Sequence, residues 1–184
     1  MARIQPRHDY EQALPVKAAF ERHILEYNGR ITNMKTTLGH SLPAFEAYMH
    51  WYPLYREVEK ITGARLAYLY AYTISNASDC PICSTFFRKM MVDAGENPDN
   101  LELTAPEKCL VDLGRSIARY QGNIANHIYD CVAKQYSASQ MVVLIAFAGQ
   151  MIATNIFNNV IETEIDEYLR DYTPKQPFPC SQYA

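Results

Sequence analysis

The chain has no second cysteine pair to complete a four-ligand zinc site and no H-x-x-x-H motif, which argues against a structural zinc module. It has no glycine-rich phosphate loop and no Walker-type motif, which removes the common nucleotide-binding folds. No stretch alternates apolar and polar residues with the strand period, and there is no internal repeat, so a sheet has no candidate strands. An excess of one charge is also missing. With 17 Lys and Arg against 20 Asp and Glu the formal net charge is −3, which gives no electrostatic case for nucleic acid or an anionic membrane as partner. No basic-plus-apolar leader opens the sequence, and five cysteines are too few, too irregular and odd in number for a secreted disulfide scaffold. The expectation is a protein of the reducing cytoplasm.

What is present is helical periodicity. Val16, Phe20, Ile24 and Tyr27 predict a helix over 14–27 that Gly29 stops, and a short second helix follows over 31–38. Phe45, Tyr48, Met49 and Trp51 predict an aromatic helix over 43–51 that Pro53 ends. A connecting turn of helix over 55–61 leads into a helix over 62–74 with Leu66, Leu69, Tyr70 and Thr73 on one face. Thr104 with Glu107, and Ser137 with Gln140, have the spacing of capping boxes, and Asn123 is the expected cap of the helix between them. The segment 141–154 is nearly apolar all round. It is too short for a bilayer span and therefore a candidate for burial within the monomer or, through Ala146, Ala148, Gly149 and Ala153, between subunits. These readings give an all-α fold: one domain over 1–184 with about six to nine helices, an N-terminal arm over 1–10 and an extended tail over 173–184.

The most informative stretch is Ser78-Asp79-Cys80-Pro81-Ile82-Cys83. It reads as a dithiol at a helix N-terminus, with Asp79 as cap and Pro81 in the first turn, where a missing N–H costs nothing. Unpaired N–H groups and the helix dipole favour a thiolate there, lowering its pKa from about 8.5. Cys80 and Cys83 would share a face, close enough to form a disulfide. An inert buried pair and half of a metal site are the competing readings. Cys109, Cys131 and Cys180 have no motif and read as structural.

The run 65–87, with Leu66-Ala67-Tyr68-Leu69, Ile74-Ser75 and the C-x-x-C, resembles the carboxymuconolactone decarboxylase family, and within it the alkylhydroperoxidase D branch. The stretches Asn33-Met34, Leu38 to Pro43, Asn155 to Asn158 and Asp166 to Leu169 share the likeness, which covers roughly 30–172. The resemblance implies an all-helical antioxidant fold assembling as a trimer or hexamer. It also implies a dithiol that reduces organic hydroperoxides or protein disulfides, or passes electrons to a peroxiredoxin. The reductant would be an external thiol, or a thioredoxin-like or lipoyl donor, with no bound cofactor or metal. By position, Cys83 would attack and Cys80 resolve, although a helix N-terminus by itself favours the earlier cysteine, so the order stays open. Full-motif relatives carry a glutamate where this chain has Tyr68 and a histidine where it has Phe87. Tyr68, with Tyr72 one turn on, and His127 or His40 are the candidates to replace that relay, each with packing or surface placement as the alternative.

Three functions follow. The first is a thiol-disulfide oxidoreductase of antioxidant defence. The second is the family's decarboxylation, which would require Arg30, Arg65 and Arg119 to gather around a carboxylate substrate. The third is an oligomeric scaffold whose cysteines only pack.

Overall fold

The computed structural model describes residues 1–7 and 12–174, and among these it is all-helical. The chain forms α1 (Leu14–Tyr27), α2 (Asn33–Leu38), α3 (Leu42–Met49), α4 (Trp51–Thr62), α5 (Ala64–Ala77), α6 (Pro81–Asp93), α7 (Ala105–Arg119), α8 (Asn126–Ala133), α9 (Ala138–Ile161) and a closing 3₁₀ helix (Glu167–Tyr172). Both expected capping boxes are closed, Thr104 with Glu107 on α7 and Ser137 with Gln140 on α9. Other ends depart from expectation. Asn28 in the left-handed region, rather than Gly29, ends α1, and Ala125 rather than Asn123 precedes α8. Pro53 does not end a helix: α3 stops at Met49, and Pro53 lies in the first turn of α4, where no N–H is needed.

The helix enclosed on all sides is α5, not α9. Every residue from Leu66 to Ser75 is buried, with α4, α6, α7 and α9 packed around it. The tyrosines in that run are tolerated because their hydroxyls reach partners: Tyr70 donates to the Leu144 carbonyl at 3.1 Å, Tyr68 to Glu96 at 3.1 Å, and Tyr72 bonds Arg88. By contrast α9 runs 24 residues, so the argument that it is too short to cross a bilayer does not hold. Its core face, Leu144, Phe147, Ala148 and Met151, packs inside the bundle. Val142, Ile145, Ile156 and Val160 on the other side are exposed.

A second cluster, Val16, Phe20, Leu38 and Phe45, joins α1, α2 and α3 into a layer beside the main core. A third, Cys80, Ile82, Cys83 and Leu169, ties the start of α6 to the 3₁₀ helix. The first seven residues are not a free arm. Arg3 donates its backbone N–H to the Ile161 carbonyl at 2.8 Å and pairs with Glu162, and Ala2 is buried. Of the expected tail, 175–184 with Cys180 lies outside the described residues. Cys109 and Cys131 are joined by a disulfide that staples α7 to α8. Their separation of 22 residues hid the pairing, and a disulfide here runs against the reducing compartment expected above.

Candidate functional site

The turn between α5 and α6 builds the site. Asp79 takes a left-handed conformation with φ 49°, so it cannot cap; Cys80 stands at the N-cap and Pro81 opens the helix. The Cys80 N–H donates to the Ser75 carbonyl at 3.1 Å, fixing the loop. Both cysteines are free thiols, 1% and 8% exposed, so neither sulfur lies open on the surface.

The pair shares a proton unequally. The Cys83 thiol donates to the Cys80 sulfur, and the first-turn N–H groups of Cys83 and Ile82 point toward that same sulfur. Against the cost of burial these hold the Cys80 pKa below the ordinary thiol value. Cys83, as donor, buried and beside a negative neighbour, is pushed well above it. A side chain from α9 offsets this in part: Asn158 donates its amide N–H to Cys83 Sγ at 3.3 Å, contacts Met34 Sδ at the same distance, and accepts from Thr163 at 2.8 Å. Of the two, Cys80 is therefore the sulfur that ionises first, and Cys83 the one that holds its proton longer.

Cys83 is the sulfur that meets a cavity. About 380 Å³ of space lies between the N-terminal layer, α4, α6, α9 and the 3₁₀ helix, walled by Trp51, Phe86, Phe87, Met90 and Met151. One end is polar: Arg30, Lys35, Tyr52, Asp166 and Tyr168 line it. Lys35 is 6% exposed and donates to the Arg30 carbonyl at 2.5 Å and the Tyr52 hydroxyl at 2.8 Å. Burial lowers its pKa to about 8, with Asp166 opposing the shift. Asp166 accepts the Asn33 backbone N–H at 2.8 Å, and burial raises its own pKa. Among the described residues no group of histidine, cysteine and carboxylate side chains is arranged to hold a metal.

The expected relay residues are elsewhere. Tyr68 donates to Glu96, which with Glu107 also binds the Arg65 guanidinium; burial first, and then the Glu96 contact, push the phenol up to about 12. Helical phase explains the miss: Tyr68 turns toward the α6–α7 connection and does not line the cavity. His127 is exposed on α8 and does not line it either; His40 is exposed and bonds the Gln5 carbonyl. Phe87 is an apolar wall. The three arginines are not gathered: Arg30 is at the cavity, Arg65 is tied to its glutamates, and Arg119 is exposed on α7. Arg88 pairs with Asp99, and Lys89 pairs with Asp93. Sequence reasoning missed Asn158 as a sulfur ligand and Lys35 as a buried cation. Asn158 falls in a stretch carrying the family resemblance; Lys35, a lysine on a six-residue helix, offered no signal.

No protein-family model matches the sequence, and no curated protein matches it in sequence. Solved structures do match in shape. The apo debrominase Bmp8 aligns with a TM-score of 0.73 at 14% identity, over 92% of this chain and 95% of that one. A cysteine-to-alanine variant of Bmp8 in complex with 2,3,4-tribromopyrrole gives 0.71 at 15% identity, over 92% and 94%. An uncharacterized peroxidase-related protein from Silicibacter sp. TM1040 gives 0.63 at 14% identity, over 89% and 93%. The all-helical fold is thus shared with these structures.

Proposed function

We propose that this protein is a dithiol-dependent reductase of small organic acceptors, with organic hydroperoxides as the first substrate class. The observation that carries the reading is the division of labour between the sulfurs: Cys83 faces an apolar cavity while Cys80, hydrogen-bonded behind it, is the easier of the two to ionise. As the Cys83 sulfur attacks the terminal peroxide oxygen, its proton passes to Cys80. The O–O bond breaks, and the departing alkoxide takes that proton from Cys80 and leaves as alcohol. Cys83 is then a sulfenic acid. The Cys80 thiolate attacks its sulfur, expels hydroxide, which leaves as water with a solvent proton, and closes the Cys80–Cys83 disulfide. Net, one hydroperoxide and two thiols give alcohol, water and disulfide. An external dithiol restores the pair. Burial of both sulfurs favours a small donor of lipoyl type, and disfavours a folded protein's disulfide as the substrate.

A halogenated aromatic compound is the second reading, favoured by the aromatic wall of the cavity and by the bromopyrrole that a structural neighbour binds. The same two electrons would replace carbon–halogen by carbon–hydrogen, releasing halide and closing the same disulfide. The decarboxylase reading loses support because its three arginines stand apart.

The test is mass spectrometry of the reduced protein after exposure to cumene hydroperoxide or a bromopyrrole, coupled to turnover with dihydrolipoamide. A Cys80–Cys83 disulfide and its loss of turnover in Cys80→Ser and Cys83→Ser are expected. Full turnover in either variant would overturn the dithiol mechanism, and thiols inert to every acceptor and to alkylation would leave only the scaffold. Self-association through the exposed apolar side of α9 belongs to the same proposal.

A further inference from the structure

The polar end of the cavity is charged in a way that the apolar wall beside Cys83 does not require. Four charged side chains line the cavity: Arg30, Lys35, Lys89 and Asp166. Lys89 is neutralised by Asp93, outside the lining. Asp166 offsets one of the remaining two cations, so the end keeps an excess of one positive charge. Among the described residues that charge is not held by a close ion pair. The Arg30 guanidinium lies over the Tyr168 ring at 4.6 Å, and the Lys35 ammonium donates to a carbonyl and a phenol. A lysine taken out of water to this extent is costly unless an anion meets it. Lys35 stands on α2 next to Met34, which through Asn158 touches Cys83, so the cation and the sulfur belong to one continuous wall.

We infer that the substrate is an amphipathic anion, an organic acid whose carboxylate docks between Lys35 and Arg30 while its apolar body lies along Trp51, Phe86 and Phe87, bringing the reducible group to Cys83. This rests on the reductase reading for the last clause only; the anion site stands on its own geometry. Phenolates and carboxylates share the required charge, and a matched neutral compound separates charge recognition from apolar burial.

Trp51 is the only tryptophan in the chain and lines the cavity, so its emission reports occupancy without any redox chemistry. The probes are 4-phenylbutyrate and its neutral amide, titrated into the reduced protein at pH 7. The carboxylate should bind about tenfold or more tightly than the amide, the range expected of a charge-assisted contact in a half-dry site. Lys35→Met should erase most of that preference while keeping affinity for the amide, which also shows that the variant is folded. The groups facing Lys35 are His23 on α1, the Arg30 carbonyl, Tyr52 on α4, and Asp166 with Tyr168 before and within the 3₁₀ helix. Lys35 loses its charge as pH rises through about 8, so the wild-type preference should fall toward that of the variant above this value. Equal affinities for the two probes at pH 7 overturn the inference, as does an undiminished preference in Lys35→Met. Should Lys35→Met not fold, the pH series decides, and a preference constant from about pH 6.5 to 9.5 overturns it. Turnover of the wild type keeps the two readings apart: a charge preference in the wild type with no wild-type turnover toward any acceptor sinks the reductase and leaves the anion site.

Discussion

The His23 imidazole is buried behind the cavity, with ring centroids 4.6 Å from Tyr52, 5.5 Å from Tyr27 and 6.0 Å from Phe45. Among the described residues neither of its nitrogens has a hydrogen-bond partner, and a Cβ at position 29 would stand 2.5 Å from Nε2, so Gly29 is needed for the chain to pass. Burial, and secondarily the Lys35 charge, lower its pKa from 6.5 to about 4. The sign follows from proton counting. Between about pH 6.5 and 4 the unfolded chain binds a proton that the folded chain refuses, so His23 supports the fold fully above that window and progressively less on acidification through it. The urea midpoint of the wild type should therefore drop more steeply from pH 7 to 4.5 than that of His23→Phe, whose ring fills the site and does not titrate. Parallel profiles for the two proteins would show that His23 protonates freely in the fold.

At the scale of elements, α7 approaches the central helix at Gly114. A Cβ there would stand 2.5 Å from Tyr70 Cε2 and 3.1 Å from Ile74, and Tyr70 is fully buried with its hydroxyl committed to Leu144. Gly114→Ala would gain about 1 kcal/mol in helix propensity and lose about 1–3 kcal/mol in overpacking. The second effect wins because the ring has nowhere to move, and a net loss of up to about 2 kcal/mol in unfolding free energy, read from a lowered urea midpoint, is expected. A variant as stable as the wild type would mean that α7 slides outward at no cost. How much of this was legible divides along the same line. Ends of helices were readable where local chemistry decides them, as at Thr104 and Ser137, whose caps are satisfied within three residues. They were misread where φ alone decides, as at Asp79 and Asn28. The dithiol was legible because both sulfurs lie within one turn. Asn158, 75 residues from Cys83, and Lys35, 131 residues before Asp166, meet only through tertiary packing, and no periodicity reports that. Tyr68 was mistaken for a site residue because a helix with every face buried gives no amphipathic phase from which to tell which neighbour a side chain meets.

At the scale of the molecule, the open question is what covers α9. Its uncovered side carries Val142, Ile145, Ala146, Gly149, Ala153, Ile156 and Val160, a stripe at helical spacing about 27 Å long by the rise of 1.5 Å per residue. Length and composition alone would suit a bilayer, but the opposite face is committed to α4, α5 and the core through Leu144, Phe147 and Met151. Space is open above Gly149, and Ala146 and Ala153 flank it, so a second α9 could approach closely at the centre while Val142, Ile145, Ile156 and Val160 close the ends. One stripe falls short of the roughly 800 Å² per partner of a stable interface, so self-association should be concentration-dependent unless neighbouring helices join it. The proposed trimer or hexamer is checked by sedimentation velocity across micromolar concentrations. Ile145→Glu with Ile156→Glu should shift the protein to monomer while leaving its helicity and Trp51 emission unchanged, because both side chains point away from the core and carboxylates facing each other across the contact repel. A wild type that sediments as monomer throughout would rule out this face as a subunit contact, and would leave a free-standing helix with an apolar side still in water.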